Sequence, residues 1–182
     1  MITLFLAEDQ SMLNSALSQL LDLEDNLKVV GTASDGQMAW EMIQKQSPDV
    51  AILDIEMPRL TGLAVAQRIH EEKLPTRVVI LTTFARQTYF EQAVQAQVAA
   101  YLLKDSPSEE LIGAINQVMT GKTIYDPALV QSVLSAEQSP LTKRETEVLK
   151  VAASGMPTKE IAQQLFCVKG RFVITYRQFL VS

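Results

Sequence analysis

The chain has 182 residues, of which 47% are hydrophobic and 20% are charged, a balance typical of a folded globular protein. A single cysteine excludes an internal disulfide framework, and one cysteine with one histidine cannot build a zinc site. No apolar run approaches the roughly 20 residues needed to span a bilayer, and the early acidic residues are not typical of a signal peptide. We therefore expect a cytoplasmic protein with no membrane insertion.

Charge is distributed unevenly along the chain. The net charge is −5, but seven basic and three acidic residues from Leu141 onward give that part a net charge of +4. Residues 1–140 therefore carry a net charge of −9. This asymmetry favours two domains, the second with a polyanionic partner, although chance asymmetry in a short segment gives the same counts.

Residues 1–120 alternate between apolar runs of strand length and amphipathic stretches of helix length. The runs are continuous in their apolar character, which is typical of strands buried on both faces of a parallel sheet. Five such runs, each followed by a helical stretch, predict a doubly wound α/β domain. The runs are Ile2–Ala7, Lys28–Ala33, Val50–Leu53, Arg77–Leu81 and Ala99–Leu103.

The last helix of this domain is predicted from a capping pattern. Ser106 is placed to cap the helix, Pro107 falls in its first turn, and Glu109 stands at the capping-box position. Glycine, two prolines and a polar stretch follow the helix over residues 121–140. That segment is interpreted as a linker with one short helix around Pro127–Leu134.

A second, helical domain is predicted from Leu141 onward. Thr142 and Glu145 form a further capping box at the start of a helix, and Thr158 can cap the next helix. Two helices joined by a short turn that contains Gly155 indicate the beginning of a helix-turn-helix.

Three acidic residues fall at the ends of predicted strands. Glu8 and Asp9 follow the first strand, and Asp54 follows the third, directly after four apolar residues. Because neighbouring parallel strands end at the same edge of a sheet, these side chains should converge where open α/β sheets bind ligands. Three carboxylates packed together need a cation, and Mg²⁺ prefers such oxygen ligands. The alternative, that Glu8 and Asp9 only cap the first helix, does not explain Asp54.

Two further polar residues end predicted strands at this edge. Thr82 follows the fourth run and Lys104 follows the fifth. A hydroxyl, an ammonium and a metal-bound aspartate form a receptor for a phosphoryl group. Position alone does not separate Thr82 from Thr83, and a lysine at a strand end is usually only solvated. The whole set nevertheless predicts that Asp54 accepts a phosphoryl group.

These segments resemble the receiver domain of bacterial two-component response regulators. The motifs that carry the resemblance are Glu8-Asp9, Leu53–Pro58, Leu81–Thr83 and Tyr101–Asp105. A second resemblance is to the LuxR-type helix-turn-helix of the NarL/FixJ family, and its motifs are Leu141–Leu149 and Lys159–Ala162. Within that family, residues 81–86 and 104–110 are most similar to DesR-like members, which answer to membrane lipid state.

The resemblance implies an architecture. It consists of a flavodoxin-like (βα)5 receiver with a parallel sheet over residues 1–120 and a linker over residues 121–140. A small all-α helix-turn-helix domain follows over residues 141–182.

The resemblance also implies a metal site and a phosphodonor. Asp54 is the phosphoacceptor, and a sensor histidine kinase supplies the phosphoryl group. Mg²⁺ is held by Glu8, Asp9, Asp54 and the backbone carbonyl of Glu56.

Three residues are implied as the switch and the phosphoryl-binding groups. The spacing back from Lys104 selects Thr82 as the switch hydroxyl. Tyr101 is the aromatic residue that turns inward when Thr82 moves, although it can also be only a half-buried strand residue. The chain departs from the family at Gln97 and Ala100, where glycines are usual. His70 is expected at the surface and not as a phosphodonor.

The implied output is transcriptional control and not catalysis. Phosphorylation is expected to drive a homodimer, through the first and fifth helices, that pairs two helix-turn-helix domains on promoter DNA. Thr158 and Lys159 are the candidate DNA-binding residues; at most they position the domain on the DNA backbone.

Residues 167–182 do not fit the family pattern. The run Phe172–Tyr176 favours a strand where the family has its recognition helix. Codons read one base earlier permit a family-like helix, so we hypothesise a frame shift near Phe166 that truncates the domain; a diverged tail is the alternative. Sequencing the source DNA tests this.

A receiver-only module that dimerises without binding DNA is then the alternative function, and a phosphatase using Asp54 as nucleophile is a third.

Overall fold

The computed structural model describes residues 1–83, 86–125 and 130. The described strands are β1 (Ile2–Ala7), β2 (Leu27–Ala33), β3 (Val50–Leu53), β4 (Arg77–Thr82), β5 (Ala100–Leu103) and β6 (Ile124–Tyr125). The described helices are α1 (Ser11–Asp22), α2 (Gly36–Gln46), α3 (Gly62–Glu71), α4 (Gln87–Gln95) and α5 (Ser108–Met119). The predicted helix-turn-helix, with Thr158 and Lys159, lies outside the described residues.

The strands form one parallel sheet in the order β2-β1-β3-β4-β5-β6. This arrangement confirms the predicted flavodoxin-like fold. Helices cover both faces of the sheet, since one buried cluster contains Trp40, Leu63 and Ala93 of α2, α3 and α4. The other contains Leu21 of α1 and Ile115 of α5. Burial on both faces explains why the strands are apolar without alternation.

The predicted strands agree with the structure to within one residue at each end. β1 and β3 have the predicted bounds, β2 begins one residue earlier, and β5 begins one residue later. β4 continues through Thr82. The strand β6 was not predicted; it lies inside the segment interpreted as a linker and pairs with β5. Two residues are too short for a periodic pattern.

The predicted start of α5 is wrong. The helix begins at Ser108 with Pro107 as its N-cap, and no side chain makes a capping hydrogen bond. Ser106 belongs instead to a turn, because its backbone N–H donates to the carbonyl of Leu103 at 3.2 Å. Glu109 still favours the helix, since an acidic side chain in the first turn interacts well with the helix dipole.

None of the helices in the described part of the chain has the length and apolar character required to traverse a bilayer.

Candidate phosphoacceptor and metal site

The register of the sheet brings the predicted acidic residues to one edge. Ala7 and Leu53, the last residues of β1 and β3, are paired. One residue beyond that pair, the N–H of Asp54 donates to the carbonyl of Ala7 at 2.9 Å, and the N–H of Glu8 donates to that of Ala33 at 3.0 Å. The backbone ladder therefore continues just past the strands and fixes the positions from which the side chains project.

Glu8, Asp9 and Asp54 form a compact cluster of carboxylates. One oxygen from each lies within 4.8 Å of the others. Glu8 is 1% exposed and Asp54 is 6% exposed, whereas Asp9 faces solvent. Gln10 is the N-cap of α1, and its own side chain makes no capping hydrogen bond. Its N–H donates to Oε1 of Glu8 at 3.2 Å, so Glu8 contacts the start of the helix, but neither Glu8 nor Asp9 is the N-cap residue.

Lys104 lies between the two buried carboxylates. Its Nζ is 2.5 Å from Oε2 of Glu8 and 3.2 Å from Oδ2 of Asp54, and its side chain is almost fully buried. The lysine is therefore part of the site and not only a solvated strand end. With all three acids ionised, one ammonium leaves two negative charges uncompensated. A divalent ion with oxygen ligands fits this charge and donor set.

Burial acts against ionisation of the inner carboxylates. It raises the pKa of Glu8 and that of Asp54 above their ordinary values, while the ammonium of Lys104 offsets part of the increase in both. The negative charge is thus costly until a cation or a bound group balances it.

Thr82 and Tyr101 lie on the next two strands of the sheet, β4 and β5. Thr82 is fully buried as the last residue of β4, whereas Thr83 is exposed, so the structure distinguishes the two hydroxyls. The carbonyl of Thr82 accepts a hydrogen bond from the N–H of Lys104 at 2.8 Å. Tyr101 is fully buried rather than half-buried, and its burial raises the pKa of its hydroxyl to about 12.

Tyr101 is the inner member of a row of aromatic rings. Phe90 of α4 packs edge-on against it at a centroid distance of 5.8 Å. Phe90 also packs edge-on against Tyr125 of β6 at 5.1 Å. The row connects the core of the receiver with the strand that follows α5.

The loop after β3 carries the remaining predicted site residue. Asp54 accepts a hydrogen bond from the N–H of Ile55 at 2.8 Å through Oδ1. Glu56 is exposed, and Tyr89 of α4 lies at the same rim, with its hydroxyl 3.5 Å from the Glu56 carboxylate. The loop ends at Thr61, whose side chain caps α3 through the N–H of Ala64. His70 on α3 is exposed, as predicted.

Sequence reasoning missed residues that hold the site from outside. Asn14 of α1 donates its amide hydrogens to the carbonyls of Glu8 and Ala33, both at 3.0 Å. Asp35, the N-cap of α2, forms an ion pair with Arg59 of the loop after β3. Asp35 followed by Gly36, ahead of an amphipathic stretch, is a sequence pattern that predicts a helix N-cap. No sequence pattern predicts the contact of Asn14 with the carbonyl of Ala33 or that of Asp35 with Arg59, because these residues are far apart in the chain.

Two family models match the chain. The response regulator receiver domain matches residues 4–116, more than half of the chain. The model for bacterial regulatory proteins of the luxR family matches residues 139–177. The second match continues past Phe166 into the segment that the sequence analysis set apart, so part of the tail also aligns with the family. The frame-shift hypothesis itself stays a prediction.

Relatives and solved structures agree with these matches. The transcriptional regulatory protein DesR of Bacillus subtilis is 52% identical over 170 residues, covering 93% of this chain and 84% of the relative. The nitrate/nitrite response regulator protein NarL of Escherichia coli is 30% identical over 173 residues, covering 90% and 80%. The crystal structure of a LuxR-family DNA-binding response regulator from Staphylococcus aureus is 43% identical with a TM-score of 0.63, covering 65% of this chain and 98% of that one. The chain therefore belongs to the LuxR-type transcriptional response regulators of two-component systems.

Proposed function

We propose that Asp54 is the residue that this response regulator uses to receive a signal, as an acyl phosphate. The observation that carries the proposal is the position of its carboxylate: it is buried at the end of β3, next to Glu8 and Asp9 and 3.2 Å from the ammonium of Lys104. A nucleophilic oxygen beside a metal site and a fixed cation is the arrangement that phosphoryl transfer requires.

We assign the metal to the acidic cluster. Glu8, Asp9, Asp54 and the backbone carbonyl of Glu56 would hold Mg²⁺, which supplies charge neutralisation for the phosphoryl oxygens. Support comes from the three carboxylates, which have ligand atoms within 4.8 Å of one another, and from the two negative charges that Lys104 leaves unbalanced.

The neighbouring residues would convert phosphorylation into a change of shape. Lys104 pairs with the new phosphoryl charge, and the hydroxyl of Thr82 donates a hydrogen bond to it. Tyr101 then holds its inward position as the switch aromatic. A local charge change that biases a packed element is a common basis for such switches.

The proposed partners follow from the two domains. A sensor histidine kinase donates the phosphoryl group, the phosphorylated chain forms a homodimer in the cytoplasm, and the C-terminal domain binds promoter DNA. The luxR-family match at residues 139–177 and the net charge of +4 from Leu141 onward support DNA binding. The domain limits proposed are 1–120, 121–140 and 141–182, with β6 of the second segment paired to the receiver sheet.

A direct test is phosphorylation by a small phosphodonor such as acetyl phosphate, followed by intact mass. With Mg²⁺ present, the chain should gain the mass of one phosphoryl group, and it should gain none after Mg²⁺ is chelated. Asp54→Asn should abolish the gain, whereas Asp25→Asn, which removes an exposed carboxylate elsewhere, should leave it intact. Phosphorylation that persists in Asp54→Asn would refute the assignment.

The second candidate is a receiver that dimerises without binding DNA. It rests on the strand-favouring run Phe172–Tyr176, where the family has a recognition helix. A mobility-shift assay across a salt series decides between the two. Sequence-specific retardation of operator DNA by the phosphorylated chain excludes the receiver-only function, and its absence favours that function.

We propose that the chain does not act as an enzyme on small phosphate esters. Turnover would need a general acid close to Asp54, and the exposed Glu56 is the nearest candidate in the loop after β3. Steady phosphatase turnover that disappears in Asp54→Ala would contradict this.

A further inference from the structure

Residues 54–61, the loop after β3, contribute two of the proposed metal ligands. We name this segment the acceptor loop. Asp54 anchors it at the end of β3, and Thr61 caps α3 at the other end. The N–H of Gly62 also donates to the carbonyl of Ile55 at 3.1 Å. These contacts hold the ends of the loop. Inside it, the N–H of Met57 donates to the carbonyl of Ile55 at 3.2 Å, that of Leu60 donates to the carbonyl of Pro58 at 2.8 Å, and Met57 is buried in the core. The exposed part of the loop, Pro58 and Arg59, is held from elsewhere.

The N-terminus of α2 holds the middle of the acceptor loop. The N–H of Gly36 donates to the carbonyl of Pro58 at 3.2 Å. A Cβ atom on Gly36 would lie 1.8 Å from the carbonyl oxygen of Leu60, so the two backbones approach as closely as glycine allows. The first residue of α2 thus packs directly against the loop that carries Asp54 and Glu56.

Asp35 joins the two segments with its two carboxylate oxygens. Oδ1 accepts a hydrogen bond from the N–H of Met38 at 2.9 Å and caps α2. Oδ2 accepts from the guanidinium of Arg59 in the acceptor loop. The Asp35 side chain is 7% exposed, whereas that of Arg59 is 60% exposed, so a buried carboxylate fixes one end of the pair.

The backbone of Arg59 carries a conformational cost. Its φ of 67° lies in the left-handed region, which glycine and asparagine adopt far more easily than arginine. Ser47, Lys73 and Gln97 share this region, so the conformation alone does not require the pair. At Arg59 the ion pair with Asp35 opposes the backbone cost.

We propose that the Asp35–Arg59 pair positions the acceptor loop so that the backbone carbonyl of Glu56 and the carboxylate of Asp54 meet the same Mg²⁺ ion. Asp35 and Arg59 are positioning residues, since neither belongs to the proposed set of metal ligands. The inference rests on the proposed function, because it requires that the acidic cluster binds Mg²⁺.

The test is the dissociation constant for Mg²⁺, measured by calorimetric titration of the full chain. Asp35→Asn keeps the cap of α2, because asparagine is as good an N-cap as aspartate, but it removes the ion pair. Arg59→Gln removes the pair from the other side. Both variants should bind Mg²⁺ about two- to fivefold more weakly, the range of an ion pair with one exposed partner. Arg59→Lys should recover part of the loss.

Arg59→Gln separates positioning from simple charge effects. Removal of a positive charge near a cation site strengthens cation binding if only long-range electrostatics matter. Positioning predicts the opposite sign. Arg68→Gln is the matched control, since it removes the same charge from α3, where Arg68 lies over the ring of Trp40 at 5.8 Å. It should leave Mg²⁺ affinity unchanged or slightly increased.

Stability is measured separately, by urea unfolding without Mg²⁺, so that loss of affinity is not confused with loss of fold. Equal or tighter Mg²⁺ binding by Arg59→Gln overturns the inference. Failure of the proposed function has a different signature: the unmodified chain would bind no Mg²⁺, or Asp54→Asn would bind it equally well.

Discussion

Gln97 adopts a backbone conformation that suits glycine better. Its φ is 51°, in the turn between α4 and β5 where the family usually has a glycine, and its side chain is exposed. The left-handed conformation costs a residue with a Cβ atom about 1 kcal/mol. The departure seen in the sequence is therefore tolerated at an energetic cost.

We expect Gln97→Gly to increase the free energy of unfolding by about 0.5–1 kcal/mol, because relief of the strain exceeds the added chain entropy. Urea unfolding followed by the fluorescence of Trp40, the single tryptophan, measures this. Gln92→Gly, in the middle of α4, is the control and should lower stability by about 1 kcal/mol. A loss of stability in Gln97→Gly would show that the side chain makes a stabilising contact.

At the level of the elements, two glycines at helices have opposite surroundings. Gly62, the first residue of α3, has the carbonyl oxygen of Asp54 only 2.0 Å from the position of a Cβ atom. Gly113, in the middle of α5, has no atom within 4 Å of that position. The first glycine allows α3 to begin against Asp54, the proposed phosphoacceptor, whereas the second only weakens its helix.

The same substitution should therefore have opposite effects at the two sites. Gly62→Ala should lower the free energy of unfolding by about 2–3 kcal/mol, because backbone atoms must move apart. Gly113→Ala should raise it by about 0.5–1 kcal/mol through helix propensity. Urea unfolding of both variants tests the pair, and similar shifts in both would contradict the packing described around Asp54.

Asp49 connects the beginning of β3 with β1. Its Oδ2 accepts hydrogen bonds from the N–H of Thr3 at 2.8 Å and from the Thr3 hydroxyl at 2.7 Å. The bond from the N–H is the main reason why the pKa of Asp49 lies below its ordinary value of 3.8. A carboxylate whose pKa is lower in the folded chain than in the unfolded chain stabilises the fold at pH values above the unfolded pKa. This stabilisation is lost as the pH falls through the folded pKa.

Asp49→Asn should therefore cost about 2 kcal/mol near neutral pH, the size of a hydrogen bond to a charged group, and less in acid. The difference from the unmodified chain should begin to shrink as the pH falls below the ordinary value of 3.8, and it should be smallest below the lower pKa of the folded chain, where the Asp49 side chain is uncharged in both states. Urea unfolding at a series of pH values measures it. A difference that grew towards acid would reverse the sign and rule out the argument.

The sequence predicted the strands of the sheet well, but it predicted the helix caps and the contacts between loops less well. Val50–Leu53 is continuously apolar because it is buried on both faces, and that property is local, so both bounds of the strand were correct. Ser106 was misassigned because capping depends on the turn that precedes α5, which residue types do not fix. The pairing of Asp35 with Arg59 joins residues 24 positions apart and leaves no periodic signal.

At the scale of the whole molecule, one bound ion should shift the unfolding equilibrium of the receiver. A ligand that binds only the folded state stabilises it by about 2.7 kcal/mol at 100 times its dissociation constant. Mg²⁺ should give this gain in the unfolding transition reported by Trp40, and Asp54→Asn should lose most of it. An equal gain in Asp54→Asn would indicate that Mg²⁺ binds elsewhere on the chain.

The short strand β6 also determines where a stable receiver fragment should end. The N–H of Ile124 donates to the carbonyl of Ala99 at 2.9 Å, so β6 covers an edge of β5 that the predicted limit at residue 120 would remove. An uncovered edge strand is a template for pairing between molecules. A fragment ending at residue 120 should therefore aggregate more readily in light scattering than one ending after Tyr125, and equal solubility would show that β6 protects nothing.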